Sequence, residues 1–301
     1  MQEKQLEFLS HGTTCRGVLY RPDVAPDAAK NKLPCIVMAH GFALTHASGL
    51  LAFKQAFCDA GYAVFAFDYR SFGDSEGEPR QVMVPGREVD DYLSATRFVR
   101  TLSEVDGQRI CLWGTSFAGG LVIKAAALDA NVQATISQCP LMDGVGGVMQ
   151  VIRYAGIGQG LKLSYHATID VVRSMLGMSP HYVKAAGHPG EVGLMTAADC
   201  YDGYVPILAG NAPNKVAARI SMFLPFHRPI SYASRVTCPA LLLICDPDSI
   251  APASDAAKAA SKMPHATVKH YSVGHFDVYK GKPLEVAIRD QLEFLKSVLA
   301  V

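Results

Sequence analysis

No stretch of this sequence is apolar for long enough to cross a bilayer. Its longest apolar runs, such as Cys35–Ala39 and Ala240–Cys245, are strand-length, far short of the roughly 18 residues of a membrane helix. Excess charge is missing too. Lysine and arginine number 28 against 27 acidic residues, a formal net charge of +1, and no basic run concentrates it. Neither nucleic acid nor an anionic membrane would be held by so weak a field, so neither is expected as a partner. The eight cysteines stand singly, without a CxxC pair or zinc-ligand spacing. They read as buried small hydrophobes in a reducing compartment, which makes a cytoplasmic protein the expectation. Met1-Gln2-Glu3-Lys4 leads straight into alternating residues with no apolar signal segment. There is no GxGxxG, no P-loop and no HExxH, so no nucleotide cofactor or metal is expected. The histidines His166, His181, His188 and His227 read as ordinary polar positions.

What remains is a chain of 301 residues, half of them hydrophobic and only 18% charged. That is enough to bury a sizeable core in one large domain, or in a core carrying an insertion. Residues Lys4–Leu9 alternate polar and apolar, and Thr13–Tyr20 read as their partner strand. Continuous apolar runs then recur at Cys35–Ala39, Ala63–Phe67, Ile110–Trp113, Val132–Ser137 and Ala240–Cys245. Helix-like stretches lie between them at about His46–Ala60, Arg87–Leu102 and Phe117–Leu128. This alternation predicts a mostly parallel sheet covered by helices on both faces. Leu284, Ile288, Leu292, Leu295 and Leu299 form one stripe on a closing helix begun near Pro283.

Between about Leu141 and Arg235 the rhythm breaks. No convincing strand is visible, and six of the ten methionines fall there. A structureless loop of that length is unlikely to sit in a compact domain. The expectation is a mainly helical cap over residues 141–235, inserted into a core made of residues 1–140 and 236–301. Its methionines and aromatics form the insertion's own core, some of them lining an apolar pocket.

The strongest chemical signal is Ile110-Cys111-Leu112-Trp113-Gly114-Thr115-Ser116-Phe117-Ala118-Gly119-Gly120. An apolar strand runs into a small-residue turn around a serine, and a helix follows: the setting of a nucleophile elbow. The tight turn strains the serine backbone and needs small residues two before and two after, here Gly114 and Ala118. It lifts the Ser116 hydroxyl clear of the sheet and sets the Phe117 N–H at a helix head, where it can stabilise an oxyanion. Alanine at the second small position departs from the usual glycine.

Taken together, five segments resemble the α/β-hydrolase fold over nearly the whole chain. They are His40-Gly41-Phe42, Asp68-Tyr69-Arg70-Ser71-Phe72-Gly73-Asp74-Ser75, the elbow, Asp246-Pro247-Asp248 and Gly274-His275-Phe276. The nearest likeness is to the capped branch of dienelactone-hydrolase-like and X-prolyl-dipeptidyl-peptidase-like serine acyl hydrolases. The resemblance implies an eight-stranded, mostly parallel sheet flanked by helices. It implies His275 as the base that activates Ser116, with the chain order Ser, acid, His. Two carboxylates compete for the acid. The Ile250-Ala251-Pro252 step favours Asp248 and leaves Asp246 as a turn-former. The oxyanion hole would pair the N–H groups of Phe42 and Phe117. His40, Gly73 and Asp74 would shape loops.

Serine at the elbow, where related dehalogenases carry aspartate and dienelactone hydrolases cysteine, favours acyl transfer to water. A carboxylesterase acting on a small acyl substrate with an apolar acyl part is the first expectation. A thioesterase or acyltransferase is the alternative, and behind these stand a peptidase or amidase and a catalytically silent binding protein. Base rates allow a homodimer.

Overall fold

The computed structural model describes residues 1–23, 32–209 and 212–300. Its main sheet has eight strands: β1 (Gln2–Ser10), β2 (Thr13–Arg21), β3 (Leu33–Ala39), β4 (Ala63–Phe67), β5 (Val105–Thr115), β6 (Ala134–Gln138), β10 (Ala240–Cys245) and β11 (Ala266–Tyr271). Their order is β1-β2-β4-β3-β5-β6-β10-β11. β1 and β2 form an antiparallel hairpin and β2 runs antiparallel to β4, while every later pairing is parallel. β3, β4, β6 and β10 are buried at every residue, which is why β3, β4 and β10 read as unbroken apolar runs.

Helices α1 (Leu51–Asp59), α2 (Pro85–Val99), α3 (Phe117–Leu128), α8 (Ala253–Ala260) and α9 (Gly281–Val298) cover the two faces. The expected strands and helices are all present. α1 starts later than its apolar pattern suggests, because residues ahead of it are held in turns. The Ser48 N–H donates to the Thr45 carbonyl, and the His46 N–H to an Asp68 carboxylate oxygen. The closing stripe joins Phe53, Phe57 and Trp113 in one apolar cluster, with Leu295 and Leu299 buried. Behind it lies a polar bridge. Buried Gln291 accepts from Trp113 Nε1 at 2.7 Å and donates to Gln138 Oε1 at 2.8 Å, tying α9 to β5 and β6.

Between β6 and β10 lie α4 (Gly144–Ala155), α5 (Ile157–Met175), α6 (Cys200–Tyr204), α7 (Ile220–Phe223) and short 3₁₀ turns. Asp143 caps α4 by accepting the Val145 N–H. Gly156, at φ +78°, turns the chain from α4 into α5. The expectation of no strand here is corrected. β7 (Tyr182–Ala186), β8 (Gly193–Met195) and β9 (Val216–Ala217) form a small sheet in the order β8-β7-β9. These strands hold two to five residues, too few for a period-two pattern to register. Side chains complete their edges: Asn214 pairs with both the N–H and the carbonyl of Ala186, and Gln159 donates to the Gly193 carbonyl. Among the described residues no helix is long and apolar enough to cross a membrane. All eight cysteines are free thiols, and only Cys238 is not fully buried.

Candidate active site

The loops that leave β3, β5, β10 and β11 converge at the C-terminal edge of the parallel strands. β5 ends at Thr115, and Ser116 follows with φ +57° and ψ −121°, immediately before α3. Three hydrogen bonds hold this strained conformation: the Ser116 N–H donates to the Gln138 carbonyl, and its own carbonyl accepts the N–H groups of Gly119 and Leu141. The small-residue requirement falls unequally on the two flanking positions. A Cβ on Gly114 would lie 2.3 Å from the Ala118 carbonyl oxygen, a backbone atom that cannot swing away. It is the Ala118 backbone that crowds the turn, so the methyl group there is tolerated.

His275 comes from the loop after β11. Its Nε2 lies 2.9 Å from Ser116 Oγ and its Nδ1 lies 2.6 Å from Asp248 Oδ2. Asp248 is held in turn, because its Oδ1 accepts the N–H groups of Ile250 and Ala251, each at 2.7 Å. All three residues are buried, with Ser116 the most accessible at 8%. Burial pulls the pKa of the His275 imidazolium down. The adjacent Asp248 carboxylate, and after it Cys139, more than reverse that, so the net displacement is well upward. The competing carboxylate, Asp246, faces away from Ser116 and accepts from exposed His270 at 2.7 Å.

Phe42 and Phe117 meet edge to face at 5.9 Å and border the same cavity as Ser116. The Phe117 N–H belongs to the first turn of α3, whose donors have no partner within the helix. His40 lies beneath the loop, hydrogen-bonded through Nδ1 to the Gly41 carbonyl and packed on Tyr69. Burial lowers its pKa to about 4. Asp68, Gly73 and Asp74 form a loop brace in which the Asp68 carboxylate accepts the N–H groups of His46 and Asp74. His46, Asp68 and Asp74 have ligand-type atoms within 4.8 Å of one another, a grouping the linear spacing does not reveal. Both Asp68 oxygens are already engaged by these backbone donors.

A cavity of about 290 Å³ opens above Ser116. Its walls are almost wholly apolar, with Leu141, Val151, Leu163, Leu194 and Met195 among them, and Ile157, Leu161 and Ser164 of α5 line it while being themselves exposed. Sequence reasoning missed three supports of this site. Gln150 of α4 donates from Nε2 to the Asp248 carbonyl at 3.0 Å. The Tyr279 hydroxyl bonds to Thr115, next to the serine. His227, read as an ordinary polar position, is buried and stacked on Phe117 at 4.6 Å, with its pKa lowered to about 3 by burial and by Lys124. Each is a contact across long sequence separation, and no local signal marks it.

Residues 36–288 match the model of the alpha/beta hydrolase family. The quorum-quenching protein AidA of Acinetobacter baumannii (strain MDR-ZJ06) is 39% identical over 298 residues, covering 98% of this chain and 95% of that protein. A thiohydrolase of Eupenicillium brefeldianum is 26% identical over 298 residues, covering 95% and 91% of the two chains. Among solved structures, DcsB in complex with its substrate analogue superposes with a TM-score of 0.83 over the whole of both chains, at 24% identity. With the family model spanning most of its length, this chain belongs to the alpha/beta hydrolase family.

Proposed function

We propose that this protein is a serine hydrolase that cleaves an acyl ester through an acyl-enzyme, with Ser116, His275 and Asp248 as its triad. The observation that carries the reading is the unbroken hydrogen-bonded chain from Ser116 Oγ through His275 to Asp248, at the floor of an apolar cavity. In this mechanism Ser116 Oγ attacks the acyl carbonyl as His275 Nε2 takes its proton, and Asp248 stabilises the imidazolium. The N–H groups of Phe42 and Phe117 receive the oxyanion. The imidazolium then protonates the leaving group, and water repeats the sequence to free the acid.

Residues 141–235 act as a cap that binds the acyl part. With a methylene taking about the volume of a water, roughly 30 Å³, the cavity of about 290 Å³ suits a medium-length apolar chain. The relative named a quorum-quenching protein leads us to favour a small signalling molecule with such a chain, joined through an ester or lactone. A thioester is the second reading, favoured by the relative named a thiohydrolase. The finer kinship with dienelactone-hydrolase-like and X-prolyl-dipeptidyl-peptidase-like enzymes rests on the order of the five site segments.

A fluorophosphonate probe tests the nucleophile and a turnover screen tests the bond. Stoichiometric labelling at Ser116 is expected, with activity on p-nitrophenyl esters that falls about a millionfold in Ser116→Ala. A folded protein that resists labelling, or a Ser116→Ala variant that keeps most of its activity, would refute the assignment. Faster turnover of acyl-CoA thioesters than of esters would select the second reading.

A further inference from the structure

α5 buries Leu163, Ala167 and Asp170 on one side, as an amphipathic helix does. Its opposite side is also apolar and faces solvent. Ile157, Leu161, Tyr165, Val172, Met175 and Leu176 are 48–81% exposed. At 100° per residue they share one stripe, running nearly the full helix length of about 28 Å. Met149 of α4, Phe223 of α7 and Phe226 just beyond it are further exposed apolar side chains on the elements that pack against α5. Apolar patches of this extent mark interaction sites. Ile157 and Leu161 belong both to the stripe and to the cavity lining, so the patch reaches the edge of the cavity above Ser116.

Acidic side chains are sparse along this helix. Between Gly144 and Met178 the only acidic residue is Asp170, which is buried and paired with Arg219. No acidic residue occurs between Gly203 and Cys245. Arg153 and Lys162 stand exposed on α4 and α5, and Lys162 and Arg173 fall along one edge of the stripe. A second copy docked two-fold on the stripe, with its helix antiparallel, would set that cationic edge against itself. An anionic lipid surface instead takes the apolar stripe into its headgroup boundary and the basic edge against its headgroups.

We propose that the outward stripe of α5, with the basic residues along its edge, docks this protein on an anionic lipid bilayer, with the cavity opening against the membrane. An apolar acyl substrate would then pass from the lipid to Ser116 without crossing water. The docking stands on the exposed surface alone, and only this delivery rests on the hydrolase reading. It departs from the expectation drawn from net charge, because a sum of +1 over the chain says nothing of how Lys162 and Arg173 are placed along one edge of the stripe.

Flotation of the full-length protein with vesicles tests it. Binding to phosphatidylcholine–phosphatidylglycerol vesicles is expected, weak on phosphatidylcholine alone and lost as salt rises. Met175→Ser with Leu176→Ser should lower partitioning on the order of a hundredfold. Arg153→Gln with Lys162→Gln should lower it about fivefold per charge on the anionic vesicles only. These four positions lie outside the cavity lining, so turnover of a water-soluble short ester should stay at the wild-type level. Absence of wild-type flotation, or flotation indifferent to lipid charge and to both variants, would overturn the proposal. So would a wild-type dimer, without flotation, that Met175→Ser with Leu176→Ser converts to monomer: that result assigns the face to a second copy. Flotation without esterase activity would sink the hydrolase reading and leave the docking intact.

Discussion

Asparagine at Asp248 should separate catalysis from stability. Asp248 Oδ1 accepts two backbone N–H groups, from Ile250 and Ala251, and an asparagine oxygen can go on accepting both. Its NH₂ must then face His275 Nδ1, where the carboxylate oxygen lay at 2.6 Å. A donor there forces Nδ1 to accept and places the ring proton on Nε2, aimed at Ser116 Oγ. An imidazole in that tautomer cannot take the serine proton. The loss of kcat should be about 10⁴-fold, or about 5.4 kcal/mol of transition-state stabilisation at 1.36 kcal/mol per tenfold. The backbone bonds survive, so unfolding free energy should change by only about 1 kcal/mol. Asp248→Ala should lose the same activity and also stability, because it strands the two N–H groups. The assay is kcat/KM for a p-nitrophenyl ester from pH 5 to 9, beside urea unfolding. In the wild type the raised His275 pKa means that activity falls as pH drops below it and the base becomes protonated. Removing the carboxylate takes away the largest upward influence on that pKa, so the acid limb of the residual activity should move to lower pH. Asp246→Asn, at an exposed pair with His270, should stay within about twofold of the wild type. The reasoning fails if Asp248→Asn keeps more than a tenth of the activity, or if Asp246→Asn is the crippled variant.

The elbow, a buried acid and the α9 bridge give three further tests. Gly114→Ala drives a Cβ to 2.3 Å from the Ala118 carbonyl and should cost about 3 kcal/mol or more, together with fluorophosphonate labelling; a wild-type Tm would show that the turn is looser than described. Glu88 is buried with neither carboxylate oxygen hydrogen-bonded, and burial, then Asp91, holds its pKa well above 4.5. The unfolded chain therefore releases this proton first, and stability falls as pH climbs from about 4.5 towards the raised folded value. Glu88→Gln should remove that slope and gain on the wild type between pH 5 and pH 8 in urea melts, and parallel curves would refute it. Gln291→Leu strands the indole N–H of Trp113 and the Gln138 amide, at about 2–5 kcal/mol. Trp113 is the sole tryptophan, so its fluorescence reports unfolding directly, and an unchanged midpoint would show that water replaces Gln291.

Much of the core fold was legible because its strands are buried on both faces. Runs such as Ala63–Phe67 and Ala240–Cys245 coincide with β4 and β10 residue for residue, and the same physics marks the elbow. The segments around Ser116, Asp248 and His275 could be ordered along the chain because each follows a strand end. What the sequence could not carry is contact across the fold. The small sheet of β7, β8 and β9 is completed by side chains such as Asn214 and Gln159, which no local periodicity records. His227 reads as a polar loop residue until the fold stacks it on Phe117. The outward stripe of α5 was hidden for a related reason: its apolar positions on both sides look like an interior helix, and only the three-dimensional structure shows which side is left uncovered.

The bond from the Gln150 amide to the Asp248 carbonyl spans the insertion and the β10 loop that carries the acid. Substrate range and reaction geometry are consequently not inherited separately. A graft that replaced α4 with another relative's helix, in search of a new acyl preference, would also release the loop bearing Asp248. Its turnover would fall for reasons unrelated to fit in the cavity. Designers exchanging caps among these proteins should carry the position-150 amide across with the helix, because the acceptor is a main-chain carbonyl that no substitution removes and only the donor can be lost.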